Sequence, residues 1–426
     1  MLVSIYEGCL VLAGLQVLVT FAPVYLLRLG GTEEQVGLLT SVPYLINSLA
    51  LLVSVGRPVT STQALRYSVW SAVTHRLLMV AILCAPLLGK GAPLWVLVTY
   101  SAASGAMCLA ANYWTTAVSD MFPAKQRGRV FGVRGVYTGL ASFTSTFAAG
   151  YLLDAFAFPL NFTVTYSLAT LFAGAATYFL ARLEPPAAEG EPVKAAYGSR
   201  NPFAALRGIL RGASRRDFLR AAAPLFLFNM GFFGLAPVVN IYFIERLGFP
   251  NSVIGLLMST FMVSQVVGSL VWGALADRFG SPVIAFVAVI GMALQALAFW
   301  FVPAVGYLLV MQVIGGFCFA GVVLGTFNMI IAIGKASERS LAVTWVNVFA
   351  NFAAFVGPLF GTFVLLHVGL VPAFLGAALM RALGAVALLR AAGEAWGSRP
   401  RGRLVARHIR LVPPWSRRPS PRAVRT

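Results

Sequence analysis

The octapeptide GALADRFG, residues Gly273–Gly280, joins two long apolar runs. VIGLLMSTFMVSQVVGSLVW precedes it and PVIAFVAVIGMALQALAFWF follows one residue after it. Each run is long enough to cross a hydrocarbon core of about 30 Å as a helix. Charged side chains are costly inside that core, so an Asp–Arg pair marks a connection at the membrane surface. The stretch therefore predicts two membrane helices joined by a short charged loop.

The rest of the chain has the same character. Hydrophobic residues make up 59% of the 426 residues, charged residues only 11%, and the mean hydropathy is +0.83. Soluble domains carry about 25% charged residues, so this is the composition of a membrane protein. Apolar runs of spanning length recur along the chain. They predict twelve spans: Ile5–Leu27, Val36–Val55, Tyr67–Leu88, Leu94–Val118, Gly132–Phe156, Leu160–Ala181, Phe218–Ile244, Val253–Ala276, Val283–Phe301, Tyr307–Ile333, Leu341–Leu366 and Val371–Leu389.

The net charge of +19 is distributed unevenly between the connections. Of 32 Lys and Arg residues, 27 lie in or beside the even-numbered connections and the C-terminal tail. The odd-numbered connections hold only Arg28, Lys90 and Arg246. Positive residues collect in cytoplasmic loops, so we expect both termini in the cytoplasm. Arg outnumbers Lys 28 to 4, which is typical of a GC-rich prokaryotic genome, so we expect a bacterial plasma membrane as the location. This placement argues against nucleic acid as a partner.

The cysteines and the N-terminus give no sign of a cofactor or of processing. The four cysteines lie within apolar spans and show no CxxC or Cys/His spacing, so neither a disulfide framework nor a metal site is expected. No cofactor of another kind is expected. The first apolar run is too long for the core of a cleaved signal peptide and is interpreted as a retained helix.

The two halves of the sequence repeat each other. RLGGTEEQVGLL (Arg28–Leu39) and RLGFPNSVIGLL (Arg246–Leu257) share six residues at a constant offset of 218. A repeat of half the chain is typical of transporters built by duplication. It predicts an N-terminal six-helix bundle over residues 1–181, a cytoplasmic linker over 182–217, a C-terminal bundle over 218–390 and a basic tail over 391–426. We expect the basic linker and tail to meet anionic lipid.

Together these features resemble the major facilitator superfamily. GALADRFG is similar to the G-x-x-x-D-[RK]-x-G signature of that family, which members carry after span 2 and often after span 8. Here the loop after span 2 (VSVGRPVTSTQALRY) lacks the acid. The resemblance covers nearly the whole chain and implies an all-α integral membrane fold with twelve transmembrane helices in two pseudo-symmetric six-helix bundles. It also implies a monomer.

The resemblance assigns the octapeptide to a cytoplasmic gate. Asp277, next to Arg278, would face the start of span 5, where the helix N-terminus and three arginines offer positive charge. Gly273 and Gly280 would permit close approach and a tight turn. The three arginines are Arg127, Arg129 and Arg134.

In this family the central cavity is lined mainly by spans 1, 4, 7 and 10, with help from 2, 5, 8 and 11. Amides and aromatics on those spans are the candidate substrate contacts, although each is as well explained by a hydrogen bond between helices. A pocket of this kind suits a small neutral or amphipathic solute, such as a sugar or a drug-like compound. The candidates are Gln16, Asn47, Asn112, Tyr113, Trp114, Asn229, Phe233, Asn240, Gln265, Asn328, Asn347 and Asn351.

Few ionisable residues lie inside the spans. Glu7 and Arg76 are candidates for coupling or for a structural ion pair with each other near the cytoplasmic end. Asp154 lies at the outer end of span 5. Arg381 lies near mid-bilayer, but in this family span 12 supports the outside of its bundle, so the resemblance implies that Arg381 snorkels or pairs locally.

The sequence therefore predicts a secondary active transporter that works by alternating access and takes a small-molecule substrate. No Walker A pattern is present, so ATP hydrolysis is not expected to supply the energy. Proton coupling is one option, and a facilitated-diffusion uniporter is another because no acid lies mid-span. A non-transporting membrane sensor is a further alternative. An integral membrane enzyme is the least favoured, because the three histidines are scattered and form no catalytic cluster.

Overall fold

The computed structural model describes residues 2–54, 59–121, 124–183, 206–207, 211, 215–331 and 336–397. Within these ranges the chain folds into twelve long α-helices and contains no strand, which confirms the predicted fold class. The basic tail from Arg399 onward and most of the predicted linker lie outside the described residues. The helices are α1 Leu2–Arg28, α2 Glu33–Ser54, α3 Ser61–Leu83, α4 Ala92–Met121, α5 Ala124–Ala155, α6 Leu160–Ala181, α7 Arg215–Ile241, α8 Asn251–Phe279, α9 Ser281–Ala298, α10 Val305–Ile331, α11 Ala336–His367 and α12 Leu370–Gly397.

Ten of the twelve described helices are long and apolar enough to cross a membrane. The other two are α3 and α5, which are the more polar ones. α3 carries Arg66, His75 and Arg76, and α5 is rich in glycine, serine and threonine. Both are long enough, with 23 and 32 residues, and both pack among the spanning helices.

The predicted bounds of the third span are wrong at their C-terminal end. The helix stops at Leu83 instead of Leu88, and Ala85–Gly91 forms a 3₁₀ turn. Pro86 cannot donate a helical hydrogen bond, and Gly89 has a φ of 51°, so the chain turns there while remaining apolar. Hydropathy alone does not mark such a turn.

Helix packing obeys the twofold repeat. Every main contact of the first bundle has a counterpart six helices later in the second: α1 packs on α5 and α6 as α7 packs on α11 and α12. In the same way α4 packs on α2 and α3 as α10 packs on α8 and α9, and the α3–α6 contact recurs as α9–α12. The two bundles meet along α5–α8 and α2–α11, which are also a symmetric pair.

The repeat recognised in the sequence has the same backbone in both copies. Gly30 and Gly248, 218 residues apart, follow α1 and the end of the α7 region, and both have positive φ values of 86° and 60°. This conformation is open to glycine and strained for other residues, which explains why both copies hold glycine there. Seven residues further on, Gly37 and Gly255 each face the opposite bundle.

The largest buried apolar cluster lies at one end of the molecule and takes residues from both bundles. We call this end, where the α1–α2, α5–α6, α7–α8 and α11–α12 connections lie, the distal side. The opposite end, where α1 begins, is the N-terminal side. Phe21, Tyr25 and Phe162 of the first bundle belong to the same cluster as Phe243 and Phe374 of the second. The bundles are therefore sealed together by apolar contact on the distal side.

Candidate substrate cavity

A cavity of about 280 Å³ lies where α1 and α2 of the first bundle face α7–α10 and α12 of the second. We call it the central cavity. Its wall is mainly apolar, with aromatic rings and methionine side chains as its largest elements, and a few polar groups interrupt it. The aromatic residues are Tyr44, Phe232, Phe233, Phe261, Phe299 and Phe374; the polar ones are Gln16, Thr20, Asn240, Gln295, Gln312 and Arg381.

Two further cavities continue the central cavity toward the N-terminal side. The α5–α8 cavity, about 500 Å³, shares Gln16 and Met262 with it and reaches Gly132 in the first third of α5. The α7–α11 cavity, about 300 Å³, shares Tyr44 and Phe233 with it. Shared lining residues make the three cavities parts of one space between the bundles.

Seven of the predicted substrate contacts line this space. Gln16, Phe233 and Asn240 line the central cavity, Gln265 lines the α5–α8 cavity, and Asn229, Asn347 and Asn351 line the α7–α11 cavity. The Asn240 amide donates to the carbonyl of Ala236 on its own helix at 2.8 Å, which fixes its orientation. Asn351 does the same to Asn347 at 2.9 Å.

The other five predicted contacts line none of these three cavities. Asn47 lies 3.2 Å from the hydroxyl of Ser104, between α2 and α4. The Tyr113 ring packs on Tyr67 at 5.3 Å, and Trp114 lies under the guanidinium of Arg134 at 4.1 Å. Asn328 donates to Ser281 at 3.0 Å, and Asn112 lies on the same stretch of α4 as the two aromatics. A contribution of these α4 and α10 side chains to substrate binding stays a prediction.

Arg381 occupies a position that the sequence analysis did not expect. Its side chain neither snorkels nor pairs with an acid: the residue is 3% exposed and lines the central cavity from α12. Its Nη1 donates to the carbonyl of Met292 at 2.7 Å and to the side-chain oxygen of Gln295 at 3.3 Å. Arg381 is a basic residue at mid-span with no acid nearby in the sequence, and this signal could have predicted its position in the cavity wall.

Contacts across the bundle boundary hold the distal side closed. At the end of α5, the Asp154 carboxylate accepts from the backbone N–H groups of Asn251 and Ser252 at 3.0 and 2.8 Å. These are the first residues of α8, whose N-terminus carries partial positive charge. Glu33 and Arg246 form a second, looser ion pair at 3.6 Å. The Ser41 hydroxyl adds a hydrogen bond across the same boundary, to the Phe355 carbonyl at 2.6 Å.

Glycines allow α5 and α8 to touch beside Asp154. A Cβ at Gly150 would lie 2.6 Å from the carbonyl oxygen of Asn251, and one at Gly255 would lie 2.9 Å from that of Thr146. Neither distance is possible for a real side chain, so both positions require glycine in this conformation. The distal closure thus depends on backbone-to-backbone contact.

The predicted ion pair between Glu7 and Arg76 does not form among the described residues. Glu7, 5% exposed, pairs with Arg134 of α5 at 2.9 Å, and Arg134 also donates to the Ser4 carbonyl at 3.0 Å. Arg76 instead donates to the Ala173 carbonyl on α6 at 3.0 Å. The reason is packing: α1 contacts α5 directly, whereas the buried face of α3 meets α6.

The predicted gate lies on the N-terminal side. Asp277 and Arg278 are exposed at the end of α8, Gly273 has no neighbouring atom within 4 Å of an added Cβ, and Gly280 ends the helix with a φ of 87°. The side chains of Arg127 and Arg129 lie outside the described part of the structure, and Arg134 is paired with Glu7. Contact between Asp277 and the start of α5 stays a prediction.

Comparison with known proteins agrees with the fold. The family model described as Major Facilitator Superfamily matches residues 8–252 and 222–422. The chain is 25% identical over 150 residues to a D-arabinitol transporter of Klebsiella pneumoniae, an alignment that covers 34% of this chain and 35% of that protein. It is 28% identical over 144 residues to the quinolone resistance protein NorA of Staphylococcus aureus, covering 33% and 36%. The chain thus aligns with only about a third of the length of these relatives.

A crystal structure of a mutant form of the nucleoside transporter NupG superposes with a TM-score of 0.69 at 12% identity, covering 91% of this chain and 98% of that one. At this identity the likeness concerns the fold alone. The twelve helices in two symmetric bundles, and the family model that matches from residue 8 to residue 422, lead to the same conclusion. The chain belongs to the Major Facilitator Superfamily.

Proposed function

We propose that the chain is a secondary transporter that moves a small amphipathic solute across the membrane by alternating access. One observation carries the proposal: the central cavity lies between two symmetric bundles and is sealed on the distal side. A transporter whose two halves rock around a fixed substrate site needs such an arrangement. The names of the curated relatives, a D-arabinitol transporter and a quinolone resistance protein, support transport in general.

The lining supports an amphipathic substrate. Five phenylalanines and three methionines offer an apolar surface that adapts to different shapes, while amides at the edges can orient one polar end. A highly hydroxylated sugar would need more hydrogen-bonding partners than this wall supplies. We therefore favour a solute with an apolar or aromatic body over a sugar.

We also propose the orientation and the conformational state. With both termini in the cytoplasm of a bacterial cell, the sealed distal side faces outward and the structure represents an inward-facing state. The side cavities that continue toward the N-terminal side support this assignment. The basic linker and tail would then lie against the anionic inner leaflet.

Proton-coupled transport and facilitated diffusion are the two transport modes to be distinguished. No acid lines any of the three cavities, and the buried acid Glu7, which lines none of them, is paired with Arg134. This absence of acids, which concerns the residues that the structure describes, favours facilitated diffusion over proton-coupled transport. A non-transporting sensor or a membrane enzyme is supported by no feature of the cavity.

Flux into proteoliposomes tests the proposal. The purified chain is reconstituted, and uptake of a panel of aromatic, polyol and drug-like compounds is followed with and without a pH gradient. Saturable uptake of at least one amphipathic compound is expected, and independence from the gradient would identify a uniporter. If no panel compound crosses faster than in empty liposomes under any gradient, the transporter proposal is wrong.

A further inference from the structure

Arg381 places an uncompensated positive charge in the wall of the central cavity. It lies eleven residues after the start of α12, is 3% exposed, and lines the cavity beside Gln295 and Phe374. Arginine keeps its charge in proteins, so a full cation sits there. Taking such a charge out of water costs several kcal/mol unless a partner repays it.

The protein supplies only part of that compensation. Nη1 has two acceptors, the Met292 carbonyl and the Gln295 side-chain oxygen, but Nε has no hydrogen-bond partner. The Phe232 ring lies 5.5 Å from the guanidinium carbon and contributes a cation–π contact. All of these partners are neutral. A buried donor without an acceptor is costly, so the arrangement is incomplete as it stands.

No acidic side chain of the described residues reaches this charge. The central cavity has no Asp or Glu in its wall. Two acids in the described parts of the bundles are engaged elsewhere: Glu7 pairs with Arg134, and Asp154 accepts from the first residues of α8. Among the described residues no acid compensates Arg381, so a bound anionic ligand is the compensation that we consider.

The neighbouring helix is shaped around Arg381. A Cβ at Gly231 of α7 would lie 3.1 Å from Arg381 Cγ and 2.6 Å from the Ala377 carbonyl oxygen. Glycine at this position lets α7 and α12 approach while the long side chain passes between them toward the cavity. Gln295 is itself held by a contact of its amide with the Met311 carbonyl at 3.4 Å, which leaves its oxygen directed at Arg381.

Resting on the transport site proposed above, we infer that the substrate is a small organic anion: its carboxylate binds Arg381 and its apolar body lies against the phenylalanines of the central cavity. The cavity wall offers a different partner to each end of such a substrate, because its one cation lies among apolar and amide groups. Guanidinium and carboxylate groups pair through charge-assisted hydrogen bonds, which suits a guanidinium whose Nε still lacks an acceptor. The inferred substrate thus belongs to the amphipathic part of the neutral or amphipathic class expected from the sequence, and it carries a negative charge.

Binding to matched probes tests this inference without requiring transport. The full chain is purified in lipid nanodiscs, and affinity is measured by isothermal titration with 4-phenylbutyrate, 4-phenylbutanamide and 4-phenylbutylamine. These share one aromatic body and differ in charge. A hydrogen bond to a charged group contributes about 1.5–3 kcal/mol, so the carboxylate should bind about 10- to 100-fold more tightly than the amide. The amine should bind more weakly than either.

Variants assign the preference to Arg381. Arg381→Gln should remove the 10- to 100-fold advantage of the carboxylate and change amide binding by less than about twofold, whereas Arg381→Lys should keep part of it. Arg76→Gln is the matched control, since it removes a buried guanidinium of the other bundle that lines none of the three cavities. It should leave the carboxylate preference unchanged.

Gln295→Glu provides a second route if Arg381→Gln does not fold. It places a carboxylate of the chain itself within 3.3 Å of the guanidinium and should abolish the preference for the anionic probe while the cation stays in place. The inference is overturned if the wild-type chain binds carboxylate and amide equally or not at all, or if either variant keeps the carboxylate preference. It is also overturned if sodium chloride at the probe concentration competes fully, because the site would then take an inorganic ion.

The result is separable from the transport proposal. Arg381-dependent binding of 4-phenylbutyrate without flux would support the anion site and contradict transport. Saturable flux of neutral compounds that Arg381→Gln leaves intact would support transport and contradict the anion site.

Discussion

The Asp154 carboxylate accepts a hydrogen bond from the backbone N–H of Ser252 at 2.8 Å, so an acid at the end of α5 caps the first turn of α8. The donor and acceptor are 98 residues apart and belong to different bundles. An N-cap is normally supplied by the residue that precedes the helix, which here is Pro250 and offers no side-chain cap. The contact therefore fastens one bundle to the other on the distal side.

Asp154→Ala should release this fastening. Loss of an N-cap costs about 0.5–2 kcal/mol, which corresponds to a 2- to 30-fold larger population open on the distal side. The measurement is the rate at which a membrane-impermeant maleimide labels Asn240→Cys in the central cavity, with the four native cysteines replaced. Glu34→Ala, an exposed acid of the same side, serves as control. Equal labelling rates in the two variants would contradict the role of Asp154.

Gly255→Leu should prevent the distal side from closing. Its side chain would enter the space where α8 meets the Thr146 carbonyl, and the two helices can accommodate it only by separating. Spin labels on the α5–α6 and α7–α8 connections should report a longer distance between the bundles. Gly174→Leu is the control because a Cβ there meets no atom within 4 Å. A distance distribution like that of the wild-type chain would show that the contact is dispensable.

Glu7 and Arg134 should contribute measurably to stability. Their side chains are 7% and 17% exposed, so removing one partner leaves the other poorly solvated. In a double-mutant cycle with Glu7→Gln and Arg134→Gln, thermal unfolding should reveal a coupling of about 0.5–3 kcal/mol. The more exposed pair Glu33–Arg246 is the comparison and should show no more than about 1 kcal/mol. Additive effects at Glu7 and Arg134 would mean that the pair is not a stabilising unit.

Asp277→Asn tests the gate predicted from GALADRFG. If Asp277 holds the N-terminal side closed in the opposite state of the transport cycle, its neutralisation should favour the state seen here. Labelling of Ser269→Cys, in the α5–α8 cavity, from the N-terminal side should then become faster. Glu245→Gln, an exposed acid of the distal side, should have no effect. Unchanged labelling in Asp277→Asn would count against a gate.

The sequence predicted the helices well because span length and hydropathy are local properties. The offset between Arg28–Leu39 and Arg246–Leu257 also predicted the twofold repeat, and Gly30 and Gly248 share the same backbone conformation. The predicted C-terminal end of the third helix, Leu88, was wrong because an apolar turn has the same hydropathy as a helix.

The site was only partly predictable, since helical periodicity identifies a polar face without saying which helix it meets. Asn229 and Asn240 point to cavities, whereas Asn47 and Asn328 meet Ser104 and Ser281 on neighbouring helices. The role of Arg381 depends on the rotation of α12 about its own axis, which only the packing of both bundles determines. The partners of Glu7 and Asp154 lie about 100 or more residues away in the chain for the same reason.

Uptake by a variant with a filled cavity tests the central claim most directly. Ala236 lines the central cavity from α7, and Ala236→Trp would place an indole ring in it without altering charge. In proteoliposomes, the wild-type chain should take up an amphipathic solute with saturation kinetics, and Ala236→Trp should lose at least nine-tenths of that uptake while unfolding at a similar temperature. If Ala236→Trp transports as fast as the wild-type chain, substrate does not pass through the central cavity and the account is wrong.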